Sequence, residues 1–160
     1  GPRREAAGQW TLGRGQGAAL FSPGCLTLAL DETGLLTLAE QLGQSLAPGE
    51  VVWLSGELGA GKTTFVKGLV RGLGVTLRAT SPTYALVHRY DGPRGPVYHV
   101  DCYRLRTAEE AHDLDWETLA AGDALLIEWP ERAEGWAPRA TRKVALAHLP
   151  DPELRQVELA

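Results

Sequence analysis

Apolar positions along the chain change their period several times, and each change marks an element. Leu26, Leu28 and Leu30 alternate with Thr27 and Ala29, which predicts a strand with one buried face. From Leu35 the spacing turns helical. Leu35, Leu38, Leu42 and Leu46 share one face, Asp31 stands where a helix N-cap is needed, and Pro48-Gly49 ends the run. Val51-Val52-Trp53-Leu54 is a short β-rich run, and Phe65, Val66, Leu69, Val70 and Leu73 then restore a helical face. Beyond Gly74, residues 84–90 and 97–101 read as strands separated by the turn signal Asp91-Gly92-Pro93. An acidic helical stretch follows over 108–121, then a strand over 124–129 and two late β-like runs over 143–149 and 154–159.

Between the run ending at Leu54 and the helix containing Phe65 lies Gly56-Glu57-Leu58-Gly59-Ala60-Gly61-Lys62-Thr63, a complete phosphate-binding P-loop. The chemistry follows from the residue types. Glycine lets consecutive backbone N–H groups turn toward phosphate oxygens at a helix N-terminus. Lys62 supplies a point charge for the β- and γ-phosphates, and the Thr63 hydroxyl can ligate Mg²⁺. A glycine-rich turn without a ligand needs neither the lysine nor the threonine. The expected fold is therefore a P-loop NTPase-like α/β sheet with central parallel strands, antiparallel additions and helices on both faces. Such sheets bind ligands at the carboxyl ends of their strands. Asp101 closes one apolar strand and Glu128 another, so either carboxylate can hold Mg²⁺ or its water shell beside Thr63, or else merely cap a strand end.

Composition and charge narrow the setting. The chain has 160 residues and no apolar run near the length of about 20 that spans a membrane, which suits one domain over residues 25–160 in the cytoplasm. Residues 1–24, rich in glycine and without sustained periodicity, read as an N-terminal extension or a cloning remnant, with no apolar signal-peptide core. Cys25 and Cys102 are far apart and in no metal-ligand spacing, as in a reducing compartment. The net charge of −4 hides a segregation: eight Lys or Arg and two acids from Lys62 to Arg106, but nine acids and one base from Glu109 to Glu134. The basic part suits phosphate. The acidic part opposes direct contact with nucleic acid and reads equally as a solvated helix or as a surface for a basic protein. His88, His99, His112 and His148 lack tight metal spacing and read as strand-face or surface residues, while Trp129 either packs on the nucleotide site or covers the sheet end.

Four blocks in order, Gly-Glu-Leu-Gly-Ala-Gly-Lys-Thr-Thr at 56–64, Ser-Pro-Thr-Tyr at 81–84, His-Val-Asp-Cys-Tyr-Arg-Leu at 99–105 and Ile-Glu-Trp-Pro-Glu at 127–131, closely resemble the TsaE (YjeE) family. These are small ATPases of bacterial tRNA threonylcarbamoyladenosine biosynthesis, and the likeness spans about residues 26–159. The resemblance implies ATP as ligand, with Gly56 to Thr64 (Glu57, Leu58, Gly59, Ala60 and Gly61 included) as its binding loop. It implies Lys62 as the phosphate-binding lysine, Thr63 and Glu128 as protein ligands of Mg²⁺, and Asp101 as a Walker-B-like acid. Ser81-Pro82-Thr83 resembles a switch-like loop near the γ-phosphate, with Thr83 in a catalytic role, and Glu32 matches a position near the base. Beyond Pro138 the match is weak, and Arg155 receives no role.

The resemblance further implies action with the transferase TsaD and its companion TsaB, contact with tRNA only through that complex, and no membrane. No arginine finger or water-orienting glutamine is identifiable in the sequence, so the isolated chain is expected to be a slow ATPase. A small P-loop metabolite kinase is the alternative, but Arg139-Ala140-Thr141-Arg142 is a poor arginine lid. A GTP switch would carry Asn-Lys-x-Asp, which is absent. A nonenzymatic nucleotide binder is the third reading.

Overall fold

A computed structural model describes the backbone of residues 3–4, 10–11, 19–22, 25–76, 81–84 and 86–160, and the side chains of 25–76 and 86–160. The strands are β1 (Arg3–Arg4), β2 (Trp10–Thr11), β3 (Ala19–Ser22), β4 (Cys25–Leu30), β5 (Glu50–Ser55), β6 (Ser81–Tyr84), β7 (Val87–Gly92), β8 (Gly95–Asp101), β9 (Ala124–Glu128), β10 (Arg142–His148) and β11 (Arg155–Leu159). The helices are α1 (Glu32–Ser45), α2 (Lys62–Gly72), α3 (Ala108–His112) and α4 (Trp116–Ala120), with 3-10 turns at Cys102–Arg104 and Pro130–Ala133. β1 and β2 form a small pair of their own. The other nine strands make one mixed sheet in the order β3-β4-β11-β10-β5-β9-β8-β7-β6. Its centre, β10-β5-β9-β8, is parallel, and the additions on both sides are antiparallel.

The expected architecture is the observed one, and the two-residue period of the strands explains why. On β9, Ala124 and Leu126 face the leucines of α1 and the Phe65, Val66, Leu69 and Val70 face of α2. Leu125 and Ile127 face the other way, onto Leu105, Ala111, Leu119 and Ala133. Helices therefore cover both faces of the sheet. α1 begins where Asp31 accepts a hydrogen bond from the Gly34 backbone N–H at 2.8 Å.

Three expected boundaries move. The strand expected over 84–90 divides: β6 ends at Tyr84, Leu86 lies in a turn, and β7 returns antiparallel from Val87. In the next hairpin Asp91 and Gly92 remain paired in β7 opposite Pro96 and Gly95, so the turn itself is Pro93-Arg94. The acidic stretch over 108–121 is two short helices. Asp115 interrupts it because its carboxylate accepts from the Thr118 N–H and hydroxyl, capping a new helix in place of extending the old one.

Candidate nucleotide site

The loop between β5 and α2 closes one end of the site. Gly61, the residue before the helix, has φ +105°, and a Cβ there would stand 2.9 Å from the Leu35 Cδ2, so glycine is required by both backbone and neighbour. Lys62 opens α2 and is only 6% exposed. Its ammonium donates to the carbonyls of Gly56 and, at 2.9 Å, of Glu57, and lies 4.6 Å from the centre of the Trp129 ring. Burial pulls the ammonium below the ordinary lysine value, and the carboxylates of Glu128, Asp101 and Glu131 oppose that shift.

The opposite wall comes from the ends of β8 and β9. These strands pair in parallel with Asp101 level with Glu128, so the two carboxylates emerge side by side on the sheet face that carries α2. One cleft is lined by Leu58, Gly59, Gly61, Lys62, Thr63, Thr64, Asp101, Tyr103, Glu128 and Trp129. The chain thus brings together Lys62, Thr63, Asp101 and Glu128 from three separate elements. Asp101 accepts from the Tyr103 N–H at 3.1 Å and lies 4.0 Å from the Arg104 guanidinium. Trp129 leaves β9 in the left-handed conformation, φ 53° and ψ 52°, which turns its indole toward Lys62. The Arg132 guanidinium lies 4.7 Å from the Tyr103 ring and 5.9 Å from that of Trp129, so a cation stands at the rim.

A second cleft shares Gly59, Gly61 and Thr64 with the first and continues past Asp31, Glu32 and Thr33 to Pro152, Glu153 and Arg155. Glu32 is thereby on a path leading away from the phosphate loop. Arg155, which has no role assigned from the sequence, is brought there because β11 pairs antiparallel with β4 and sets Arg155 opposite Leu30, one residue before the Asp31 cap. Its guanidinium donates to the carbonyls of Pro152 and Leu154 at 2.8 and 2.9 Å. Thr83 sits in β6, and its side chain lies outside the described residues.

His99, expected as a strand-face or surface residue, lies on the β8 face and also reaches the site. Its Nε2 lies 2.7 Å from Glu128 Oε2. The signal was available, since His99 precedes Asp101 by two residues and the strand period places both on one face. His88 stacks on His99 with ring centres 5.8 Å apart. Burial lowers the His88 imidazole below its ordinary value, with His99 and Arg104 adding to the shift and Asp101 and Glu128 opposing it.

The donor set suits a magnesium nucleotide. Thr63, Asp101 and Glu128 offer hard oxygen atoms, and among the described residues no three His, Cys, Asp or Glu side chains converge to hold a metal alone. Mg²⁺ is ordinarily held by one or two carboxylates together with waters and substrate phosphates.

A family model described as "Threonylcarbamoyl adenosine biosynthesis protein TsaE" matches residues 30–157. Relatives described as "tRNA threonylcarbamoyladenosine biosynthesis protein TsaE" include one from Nostoc sp., 42% identical over 106 residues that cover 64% of this chain and 65% of the relative. One from Treponema pallidum is 42% identical over 69% of this chain and 82% of its own length. One from Bacillus subtilis is 37% identical over 66% of each. Against the Nostoc and Synechocystis relatives the chain spans a little under two thirds of their lengths, 65% and 62%. Among solved structures, "Crystal structure of Bacillus subtilus YdiB" superposes with a TM-score of 0.68 at 26% identity, covering 89% of this chain and 86% of that one.

Proposed function

The chain belongs to the TsaE family, and we propose that it is the ATP-hydrolysing component of the bacterial machinery that makes N6-threonylcarbamoyladenosine at position 37 of tRNA. One observation carries the nucleotide part of this reading: Lys62, Thr63, Asp101 and Glu128 line a single cleft at the carboxyl ends of parallel strands. Lys62 is bonded to its own loop, to the carbonyls of Gly56 and Glu57. Phosphate oxygens would replace those two acceptors, so that the buried ammonium would exchange neutral partners for charged ones. Thr63 and Glu128 are the protein groups that would hold Mg²⁺, with Asp101 beside them as a direct ligand or a holder of its water. When bound, the metal neutralises charge on the transferring phosphoryl group. The loop N–H groups and Lys62 would hold and orient the phosphates of a bound nucleotide.

The activity in isolation is slow on this reading. Arg132 is held over Tyr103 and Trp129 at the rim, where its charge does not line the phosphate cleft. A charge supplied from a partner can accelerate such reactions by about 10³- to 10⁵-fold. We take TsaD with TsaB as those partners, on the family resemblance. ATP hydrolysis would then support turnover of that complex, with tRNA contacted through it and the cytoplasm as the setting.

The test compares the wild type with Lys62→Ala. Steady-state ATPase is measured alone and with cognate TsaD and TsaB, together with modified tRNA formed per transferase molecule. We expect a low rate alone, a large rise with the pair, and loss of both hydrolysis and multi-turnover modification in a folded Lys62→Ala chain. Wild-type hydrolysis by that variant would remove the lysine from the mechanism. Unchanged modification when the chain is omitted would remove the biological role.

A further inference from the structure

Glu128 does not stand alone at the end of β9. On the sheet face beneath α2, His99 on β8 stands between Leu126 on β9 and His88 on β7, and Glu128 is its diagonal neighbour, two residues beyond Leu126. His99 and Glu128 are 12% and 10% exposed in their side chains, and their contact is 2.7 Å. A carboxylate can only accept, so the imidazole donates from Nε2 to Oε2. His88, parallel to within 26° and 5.8 Å away, stacks against the ring from β7. Neither histidine lines the phosphate cleft, whereas Glu128 does. Both instead face Thr63, Lys67 and Val66 from below the helix.

We propose that His99 is a positioning residue for Glu128. It commits Oε2 to one hydrogen bond and leaves Oε1 as the oxygen offered to the magnesium nucleotide beside Thr63. A free glutamate side chain has three rotatable bonds and would lose that freedom on taking up a ligand. Here the Nε2–H···Oε2 bond and the His88 stack set the carboxylate plane before the ligand arrives. Carboxylates that bind metals are ordinarily held by such outer hydrogen bonds, and removing one costs about 10- to 100-fold in metal affinity or activity. The inference rests on the magnesium role given to Glu128 above, and adds the residue that makes that role geometrically defined.

The experiment uses the full chain with ADP as probe, by calorimetry in Mg²⁺ and in EDTA, alongside thermal unfolding. Four proteins are compared: wild type, His99→Leu, which removes the donor and fills the volume, His99→Gln, whose amide nitrogen can reach as Nε2 does, and Glu128→Ala. His99→Leu is expected to reduce the magnesium-dependent gain in ADP affinity by about 10- to 100-fold, with affinity in EDTA within about twofold. His99→Gln should restore most of the gain. Should the leucine variant not fold, His99→Asn, whose amide stops short of Oε2, makes the same comparison. If the His99 variants lose affinity equally in Mg²⁺ and EDTA, or keep the full magnesium gain while Glu128→Ala loses it, His99 is a packing residue and the proposal is wrong with the Glu128 reading intact. If Glu128→Ala keeps the full magnesium gain, the metal role of Glu128 falls and the positioning role falls with it.

Discussion

Cys102 illustrates how one residue near a charged site is kept out of its chemistry. It follows Asp101 directly, yet its side chain is fully buried among Val100, Leu105 and Ile127 on the face opposite the cleft. Burial pushes its thiol up to about 12, with the carboxylates of Asp101, Glu131 and Glu128 adding to the shift. The thiol is therefore neutral at physiological pH. In the unfolded chain it ionises near its ordinary value of 9.0, so between that pH and about 12 the folded state holds more protons than the unfolded state. Stability from keeping the thiol neutral is fully present below the unfolded value and is lost as pH rises through that window. We expect Cys102 to resist iodoacetamide at pH 8 in the native protein and to react once the chain is unfolded in guanidinium. Between pH 9 and 11 the urea midpoint of the wild type should fall further than that of Cys102→Ala. Rapid native alkylation, or equal falls in the two proteins, would contradict the assignment. Trp129 is the opposite case, a residue whose backbone is strained toward the site. Its left-handed conformation costs about 1–2 kcal/mol for a residue with a Cβ, and the indole it turns inward covers the Lys62 ammonium.

At the scale of elements the contact between α1 and α2 decides how the phosphate loop is carried. Three glycines, Gly43, Gly68 and Gly72, let the two backbones approach. A Cβ on Gly68 would stand 2.5 Å from the Ala39 Cβ and 2.7 Å from the Leu36 carbonyl oxygen. Helix propensity alone says that Gly68→Ala stabilises α2 by about 1 kcal/mol. The steric conflict points the other way, since overpacking a closed interface costs about 1–3 kcal/mol, and neither of these two neighbours is the tip of a flexible side chain. We expect a net loss of stability, read as a lower urea midpoint with an unchanged slope. Nucleotide affinity should weaken too, because α2 must shift and Lys62 and Thr63 shift with it. A more stable Gly68→Ala protein would mean that the helices separate at little cost.

Across the whole molecule the end of the sheet remote from the cleft is fastened separately. Asp123 precedes β9 with its side chain fully buried, and Arg94 from the β7–β8 turn reaches it, Nε donating to Oδ2 at 3.3 Å and Nη2 lying 3.2 Å from Oδ1. The same guanidinium donates to the Leu46 carbonyl at the end of α1, and the Asp123 carbonyl accepts from the Gly49 N–H. The ion pair and these two backbone carbonyls together tie the starts of β5 and β9, the α1 terminus and the outer hairpin. Asp123→Ala should destabilise by about 1–3 kcal/mol, as expected when a buried hydrogen-bonded group loses its partner. The magnesium-dependent affinity for ADP of the folded variant should remain at the wild-type value, because the change lies at the opposite end of β9 from Glu128. A loss of magnesium coupling at intact stability would show that the two ends of the sheet are not independent.

Much of this is legible in the sequence. The P-loop, the Asp31 cap, the buried faces of α1 and α2, and the strands ending at Asp101 and Glu128 all rest on interactions within about four residues or on a fixed period, so sequence alone determined them. Its errors were local competitions: Asp115 preferred capping its own helix, and Leu86 turned where a continuous strand was expected. What only the tertiary structure decided is lateral. The level pairing of Asp101 with Glu128, the reach of His99 to the same carboxylate, the arrival of Arg155 opposite Leu30 and the fastening of Arg94 to Asp123 join residues 27 to 125 positions apart. Strand order and register fix those contacts, and they follow from how the central strands bury two faces at once. No short window of sequence contains that information.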